Sequence, residues 1–518
     1  MTKKPNFIIF ITDQLRWDAL GCNGNKVINT PNIDQIANEG TNFSRMHVAT
    51  QVCMPNRASL MTGRYPSVHG LRINGNHLSR NAVTFVDVLN NAGYQTASIG
   101  KIHLQPMTKE GPFKWFDEND LGSFKEAWID KNDYTMEQPH HYESEAYFEM
   151  PKPYYGFNHV DLVTLHRKEA HNYLQWLKSK TSEWEKFIDP KNQLAHNYSC
   201  PQAFRTPIPE ELYPTTFIQE KTLNYFNKIS KNDPFITFVS FPDPHHPFNP
   251  PGKYWDMYDP ESFDDDLPFS SHENPIKPLK IMNEMYLDGI LPKVKTAPFM
   301  ASKRHIQESK ALTAGMITMI DDAIGSIILD LKKKDLYDNT VIIFTSDHGD
   351  YLGDFSLMLK GPFPFEGVTK VPFIWSDPSS RKSFNSDALA STIDISSSIL
   401  SRANVKPFWG IQGKSLEKNI LGNNELRDKL IVEFHDNKIG NGFNKPAFVR
   451  SFLSENYKLN IYKDESFGEL YNLKNDPNET FNLFNEPSYE KIKQDLIFGL
   501  VNEMMENMDK SPSPKLQA

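Results

Sequence analysis

The stretch "VCMPNRASLMTGRYP" (52–66) sets Cys53 four residues before Arg57, with Pro55 between them and Thr62-Gly63-Arg64 after. A cysteine acts as a nucleophile when a histidine base or cationic neighbours lower its pKa. A structural zinc needs paired cysteines at short spacing, whereas Cys22, Cys53 and Cys200 are scattered. Taken alone, Cys53 reads equally as a buried thiol at the start of a helix. Two acidic segments, "TDQ" (12–14) and "SDHGD" (346–350), offer Asp13, Gln14, Asp347 and His348. Oxygen donors of this kind suit Ca²⁺ or Mg²⁺, and one imidazole shifts the balance toward Mn²⁺. Either aspartate alone also reads as an ordinary cap at a strand-to-loop turn. Arg57, Lys101, His103, His245 and Lys360 add positive groups beside turns. An anionic substrate needs several such fixed cations, although a lone lysine or histidine is more often a solvated surface group. By chemistry alone His246 serves as well as His245. Together these residues describe a metal-assisted hydrolase of an anionic ester.

The elements that would hold them follow from short apolar runs bounded by turn residues: "NFIIFIT" (6–12), "TASIG" (96–100), "PFITFVSF" (234–241), "TVIIFTS" (340–346) and "VPFIW" (371–375). Runs without alternation are strands buried on both faces, as in parallel sheets. Helical patterns lie between them, such as 84–94 and 311–336, the latter with lysines at its C-terminal end. This alternation predicts an α/β domain with a central, mainly parallel sheet flanked by helices. Ligands gather at the carboxyl ends of such strands, where Asp13, Lys101, Asp243 and Asp347 fall. Residues 105–215 break the rhythm and read as an insertion over one face, with Trp115, Tyr134, His140, His141 and Tyr155 as candidate pocket or lid residues. After about residue 430 short strands at hairpin spacing and a terminal helix over 488–508 predict a smaller antiparallel domain. The expected division is therefore a catalytic unit over 1–425 and a C-terminal α+β unit over 426–518.

The 518 residues carry 56 Lys+Arg against 65 Asp+Glu, a net charge of −9. That balance argues against a nucleic-acid partner. The N-terminal apolar run is too short for a leader, and no uninterrupted apolar stretch approaches ~18 residues, so a cytoplasmic location without membrane contact is the expectation.

"CMPNRASLMTGR" resembles the signature of the formylglycine-dependent sulfatases of the alkaline phosphatase superfamily, Cys-x-Pro-Ser/Ala-Arg followed by Leu-x-Thr-Gly-Arg. "FIIFITDQ", "GKIHL", "PDPHHPF", "FTSDHGDYLGDFSLMLKG" and "GELYNLKNDPNETFNL" resemble further segments of that family in the same order. The resemblance implies an alkaline-phosphatase-like fold and hydrolysis of sulfate esters. In that family the cysteine is oxidised to formylglycine by a separate formylglycine-generating enzyme, and the hydrated aldehyde is the nucleophile. Carried over, Asp13, Gln14, Asp347 and His348 would bind one divalent metal, calcium ahead of manganese or magnesium. Arg57 would hold the nucleophile and a substrate oxygen. Lys101, His245 and Lys360 would bind the anion, with Asn74 of "RINGN" a further substrate contact. His103 would act as base, and the register of the motif favours His245 over His246.

Three positions depart from the family pattern: Asn56 for Ser or Ala, Gln14 for a second acid, and Phe355 for a common His. Gln14, His348 and Asn74 also resemble the phosphonate monoester and phosphodiester hydrolases, which share the nucleophile. That activity is the alternative, and a non-catalytic relative is the rival from outside enzymology. A small-molecule or saccharide sulfate ester is the expected partner, with homo-oligomerisation open.

Overall fold

The run 6–12 forms strand β1 (Asn6–Thr12), buried along its whole length. Phe7, Ile9 and Ile11 enter one apolar layer, and Ile8 and Phe10 enter the other. A strand without polar alternation thereby has an apolar partner on each side. The computed structural model describes residues 4–516 apart from 109–110, 112–121, 124–125, 145, 165–170, 265–266 and 291–296.

The further strands of this sheet are β2 (Thr41–Phe43), β3 (Gln95–Gly100), β4 (His159–Leu162), β5 (Phe235–Ser240), β6 (Thr340–Ser346), β7 (Phe373–Ser376) and β8 (Phe384–Ser386). Their spatial order is β8-β2-β7-β6-β1-β5-β3-β4. From β6 to β4 every pairing is parallel. The run 371–375 departs from a wholly parallel reading, since β7 lies antiparallel to both β6 and β2. Helices α1 (Pro31–Asn38), α4 (Pro214–Phe226) and α5 (Lys303–Lys333) cover the face of Ile8 and Phe10. Helices α2 (Cys53–Thr62), α3 (Phe85–Asn91) and α6 (Asp394–Arg402) cover the other.

Part of the segment expected as an insertion belongs to the sheet. β4 pairs in parallel with β3 at the edge, and its His159 and Asp161 interrupt the apolar pattern that would have marked it. The aromatic residues of that segment have local roles. Tyr134 stacks on His77 at 3.5 Å, the Tyr155 hydroxyl donates to the Leu78 carbonyl, and His140 packs on His141. Trp115 lies outside the described residues.

Beyond α6 an antiparallel meander forms from β9 (Leu430–His435), β10 (Phe448–Leu453), β11 (Tyr457–Tyr462) and β12 (Gly468–Asn472). Helix α7 (Glu490–Glu506) packs on it through Leu496 and Leu500, against Ile431, Phe452, Leu459 and Leu470. A buried ionic cluster joins this sheet to the first. Lys458 lies 2.7 Å from Glu479 and 3.3 Å from Glu366, and the Glu366 amide donates to Glu479. Burial pushes Glu479 above the usual carboxylate range, while His47 and Lys458 hold Glu366 low against the same effect.

Removing the central cation would strand the buried carboxylate of Glu479 and take one partner from the partly buried Glu366. Lys458→Met is expected to cost about 3–5 kcal/mol in a urea titration. Adding Glu479→Gln should recover part of that loss.

Candidate active site

The carboxyl ends of the parallel strands converge, and the ladder of the sheet extends past them. Asp347 N donates to Thr12 O, Asp13 N to Asp243 O and Lys101 N to Ser240 O. Asp13, Lys101 and Asp347 are therefore set by the sheet and not by free loops. At Gly100 the strands approach so closely that a Cβ would lie 1.8 Å from the Ser240 carbonyl oxygen, and its φ of +109° suits glycine. Lys101 leaves the sheet directly from this point.

Cys53 is the first residue of α2 and only 2% exposed. One turn on, Arg57 is spent on the strand ends. Its Nε donates to Asp347 Oδ2 at 2.7 Å, and one terminal nitrogen donates to Lys101 O at 2.8 Å and Ser240 Oγ at 2.9 Å. The other terminal nitrogen lies 3.5 Å from Asp13 Oδ2, which also accepts from Lys101 Nζ at 2.6 Å. Lys101, His245, Lys360 and Arg57 hold Asp13 well below the usual range although burial opposes them. Burial and the Asp13 charge push Asp347 up.

His348 Nδ1 lies 2.8 Å from the Gly349 carbonyl, which places the proton there and leaves a lone pair on Nε2. That Nε2 is buried without a hydrogen-bond partner and sits 3.8 Å from Asp13 Oδ1 and 3.6 Å from Asp347 Oδ1. Asp13 Oδ1 is orphaned as well. Asp13, Cys53 and His348 bring one ligand atom each within 4.8 Å of one another. Buried lone pairs facing one another without a donor are the signature of a cation site. Gln14 adjoins it, but its side-chain oxygen accepts from Lys360 at 2.8 Å and its amide nitrogen donates to Asp350. Gln14 therefore enters a metal shell only by exchanging Lys360 for the ion.

A ring of positive or polar groups surrounds the sulfur. Asn74 receives the Met54 amide at 3.2 Å and directs its own nitrogen to Cys53 Sγ at 3.7 Å. Burial pushes the Cys53 thiol up, yet Lys360 and Lys101 outweigh it and hold the group well below the ordinary thiol range. The site thus favours negative charge at this position. Burial, then Lys101, lowers His103 to about 4, so its ring is neutral at pH 7, and its Nδ1 has no partner. His245 is half-buried with Nδ1 on the His246 carbonyl at 2.6 Å. His246 is buried with both ring nitrogens unpartnered. The structure brings both histidines to the site, and His246 belongs with the residues sequence reasoning set aside.

Residues 5–405 match the sulfatase family. The chain is a member of it. Residues 355–507 also match the C-terminal region of N-sulphoglucosamine sulphohydrolase. An arylsulfatase of Clostridium perfringens is 27% identical over 500 residues, covering 94% of this chain and 92% of that protein. The phosphonate monoester hydrolase of Agrobacterium radiobacter shares the fold with a TM-score of 0.77 at 23% identity, over 98% of this chain and 97% of the other. A structure in complex with its substrate D-glucosamine-2-N,6-O-disulfate superposes with a TM-score of 0.71 at 21% identity, over 99% of this chain and 100% of the other. Sulfatases are sulfuric ester hydrolases, and this chain carries the family's elements from β1 onward.

Within that family pattern, Asn56 has a local explanation. Its side-chain nitrogen donates to the Asp347 carbonyl, and its oxygen accepts from Ala49 N at 3.0 Å and Thr392 Oγ at 2.8 Å. The amide fastens α2 to the end of β6, a link that neither Ser nor Ala could make in full. Phe355 packs against His272 and Phe365, both at 4.6 Å, inside an aromatic cluster.

Glu137 was not legible in the sequence, where it reads as one charge in a polar segment. It is fully buried and accepts the amides of His103, Leu104 and Gln105 at 2.9, 2.9 and 3.2 Å, with the Tyr154 hydroxyl at 2.8 Å. His103 has a left-handed φ of 61°, a strained conformation for a non-glycine residue. Glu137 is a positioning residue that holds this strain in place. Glu137→Gln is expected to lower kcat on an aryl sulfate by about 10–100-fold, leaving KM within about twofold, with partial recovery in Glu137→Asp. Burial raises Glu137 to about 7. The folded chain then binds its proton more tightly than the unfolded one, and this group loses stability as pH rises from about 4.5 to 7. The urea-midpoint advantage of the parent over Glu137→Gln should shrink across that window.

Proposed function

We propose that the chain hydrolyses sulfate esters of saccharides or other small alcohols, using formylglycine derived from Cys53 and one divalent metal. The observation that carries this reading is the placement of Cys53 beside the orphaned lone pairs of Asp13 and His348, inside a ring of cations. Asp13, Asp347 and His348 would hold the ion, with Gln14 as a fourth ligand after release of Lys360. Calcium suits the oxygen donors, and Mn²⁺ or Mg²⁺ suits the set with its imidazole. When bound, the ion supplies Lewis-acid stabilisation of negative charge on the ester oxygens.

The chain's own residues supply the remaining steps. Asn74, Lys101 and Lys360 bind the sulfate oxygens, where fixed cations stabilise the transition state without reorganisation. One hydroxyl of the hydrated formylglycine attacks sulfur, and the sulfur–oxygen bond to the alcohol breaks. The proton of the attacking hydroxyl passes to the departing alkoxide by way of His245 or His246, whose rings burial and the Lys360 charge keep neutral. His103, neutral at pH 7, then takes the proton of the second hydroxyl. The carbon–oxygen bond to sulfate breaks as the aldehyde re-forms, and hydration restores the nucleophile. Arg57 fixes the position of α2 throughout. Lys101 and His103 at the reacting centre favour sulfate over phosphonate. The contact of Asn74 with Cys53 supports phosphonate monoesters and phosphodiesters as slower substrates.

The tryptic peptide Met46–Arg57, from protein made with an active formylglycine-generating enzyme, should be lighter by the difference between one sulfur plus two hydrogens and one oxygen. Its activity should disappear in Cys53→Ala and after chelation, with recovery on adding Ca²⁺. An aryl sulfate should be hydrolysed faster than the matching phosphonate monoester. A peptide that keeps its thiol would overturn the mechanism, and a reversed preference would overturn the substrate class.

A further inference from the structure

Asp350 lies against the site and has no part in the steps above. It is 3% exposed, and both of its carboxylate oxygens accept N–H groups. Oδ1 accepts the Leu352 amide at 2.8 Å, and Oδ2 accepts from Gln14 Nε2. Arg16 ties this segment down, one terminal nitrogen donating to the Asp350 and Tyr351 carbonyls at 3.0 and 2.7 Å. Gln14 is held as closely. It is 2% exposed, and its backbone amide donates to Asp347 Oδ1 at 3.1 Å. At the end of its side chain the carbonyl oxygen accepts from Lys360 Nζ at 2.8 Å.

This packing leaves one degree of freedom open. The two ends of a primary amide are alike in shape and opposite in polarity, so hydrogen-bond partners decide which end faces where. A carboxylate only accepts. Asp350 therefore takes the NH2 of Gln14 and turns the C=O toward Lys360, whose charge is felt at both Asp13 and His348. A negative charge behind the amide also polarises the carbonyl oxygen and makes it a better donor to a cation. Given one divalent metal at Asp13, Gln14, Asp347 and His348, the reading on which this rests, we propose that Asp350 is a positioning residue for the ion: it selects the carbonyl end of Gln14 and strengthens it as a ligand. Asp350→Asn reverses that selection. The Leu352 amide keeps an oxygen facing it, so the new NH2 points at Gln14 Nε2. Two donors cannot share that contact. Gln14 then turns over and offers its own NH2 to Lys360 and the ion.

The test is calcium binding to the full chain by titration calorimetry at pH 8, with the melting temperature of each variant taken in EDTA. The parent should bind one Ca²⁺. Asp350→Asn should weaken binding by about 10–100-fold, with the melting temperature in EDTA unchanged. In a Gln14→Glu background the same substitution should leave the affinity within about threefold. Two facing carboxylates hold one charge between them, and the new amide becomes the donor to the acid at position 14. A loosened fold would weaken both backgrounds alike. The exchanged pair, Gln14→Glu with Asp350→Asn, carries the test by itself where Asp350→Asn alone does not fold. Asp350→Asn that binds calcium as the parent does overturns the positioning role and leaves the metal assignment standing. So does an equal loss in both backgrounds, or an exchanged pair that binds tenfold more weakly than Gln14→Glu. A parent that binds none of Ca²⁺, Mn²⁺ and Mg²⁺ overturns the role together with the proposed function.

Discussion

Everything at the site hangs on one buried guanidinium. Arg57 holds Asp347, Asp13, the Lys101 carbonyl and the Ser240 hydroxyl at once, so a single side chain ties α2 to the ends of β1, β3, β5 and β6. Two carboxylates buried this deeply repel one another, and removing a cation that pairs them costs about 3–5 kcal/mol. The spacing of the sequence motif follows from this anchor. Cys53 lies one helical turn before Arg57, so fixing the arginine against the sheet fixes the sulfur over the cation site. The ionic lock and the position of the nucleophile are one structural decision.

Parts of this were open to reading in the sequence because they follow from burial on both faces. Strands β1 and β6 coincide with the runs 6–12 and 340–346, since a strand covered on both sides leaves no polar alternation to blur its ends. The meander was also legible, from strands at hairpin spacing. The edges were not. β2, β4 and β8 are short, and their partners lie far away in the chain, so local pattern carries little of what makes them strands. The site divides in the same way. Residues placed at strand ends or inside a motif were identified by number, because the sheet delivers them there. Glu137 and the Asn56 side chain act through contacts between distant segments, and nothing in their own neighbourhoods announces a partner, whereas His246 was passed over only because the motif's register favoured His245.

The electrostatics run opposite to the bulk charge. A chain of net charge −9 concentrates Arg57, Lys101 and Lys360 with four histidines around one buried point, at the cost of strained backbone at Gln14 and His103, whose φ values are 69° and 61°. In both cases the strained residue donates its amide to a buried carboxylate, Asp347 for Gln14 and Glu137 for His103. Strain and its restraint are therefore paired at each place, and the restraint at His103 comes from a segment remote in sequence.

The central position of β1 has a consequence for how the molecule is made. Its two neighbours are residues 235–240 and 340–346, so β1 is completed only by strands that leave the ribosome long after it. At about 5–20 residues per second, that delay is roughly 10–50 s for the nearer partner and longer for the other. During it the most apolar run of the chain has no sheet to join, which exposes it to chaperones and to aggregation. The same wait holds α2 away from its anchor, because Arg57 has no Asp347 to bind. Cys53, closed off in the finished protein, is reachable in this interval, and any enzyme that alters it has a window set by the speed of translation.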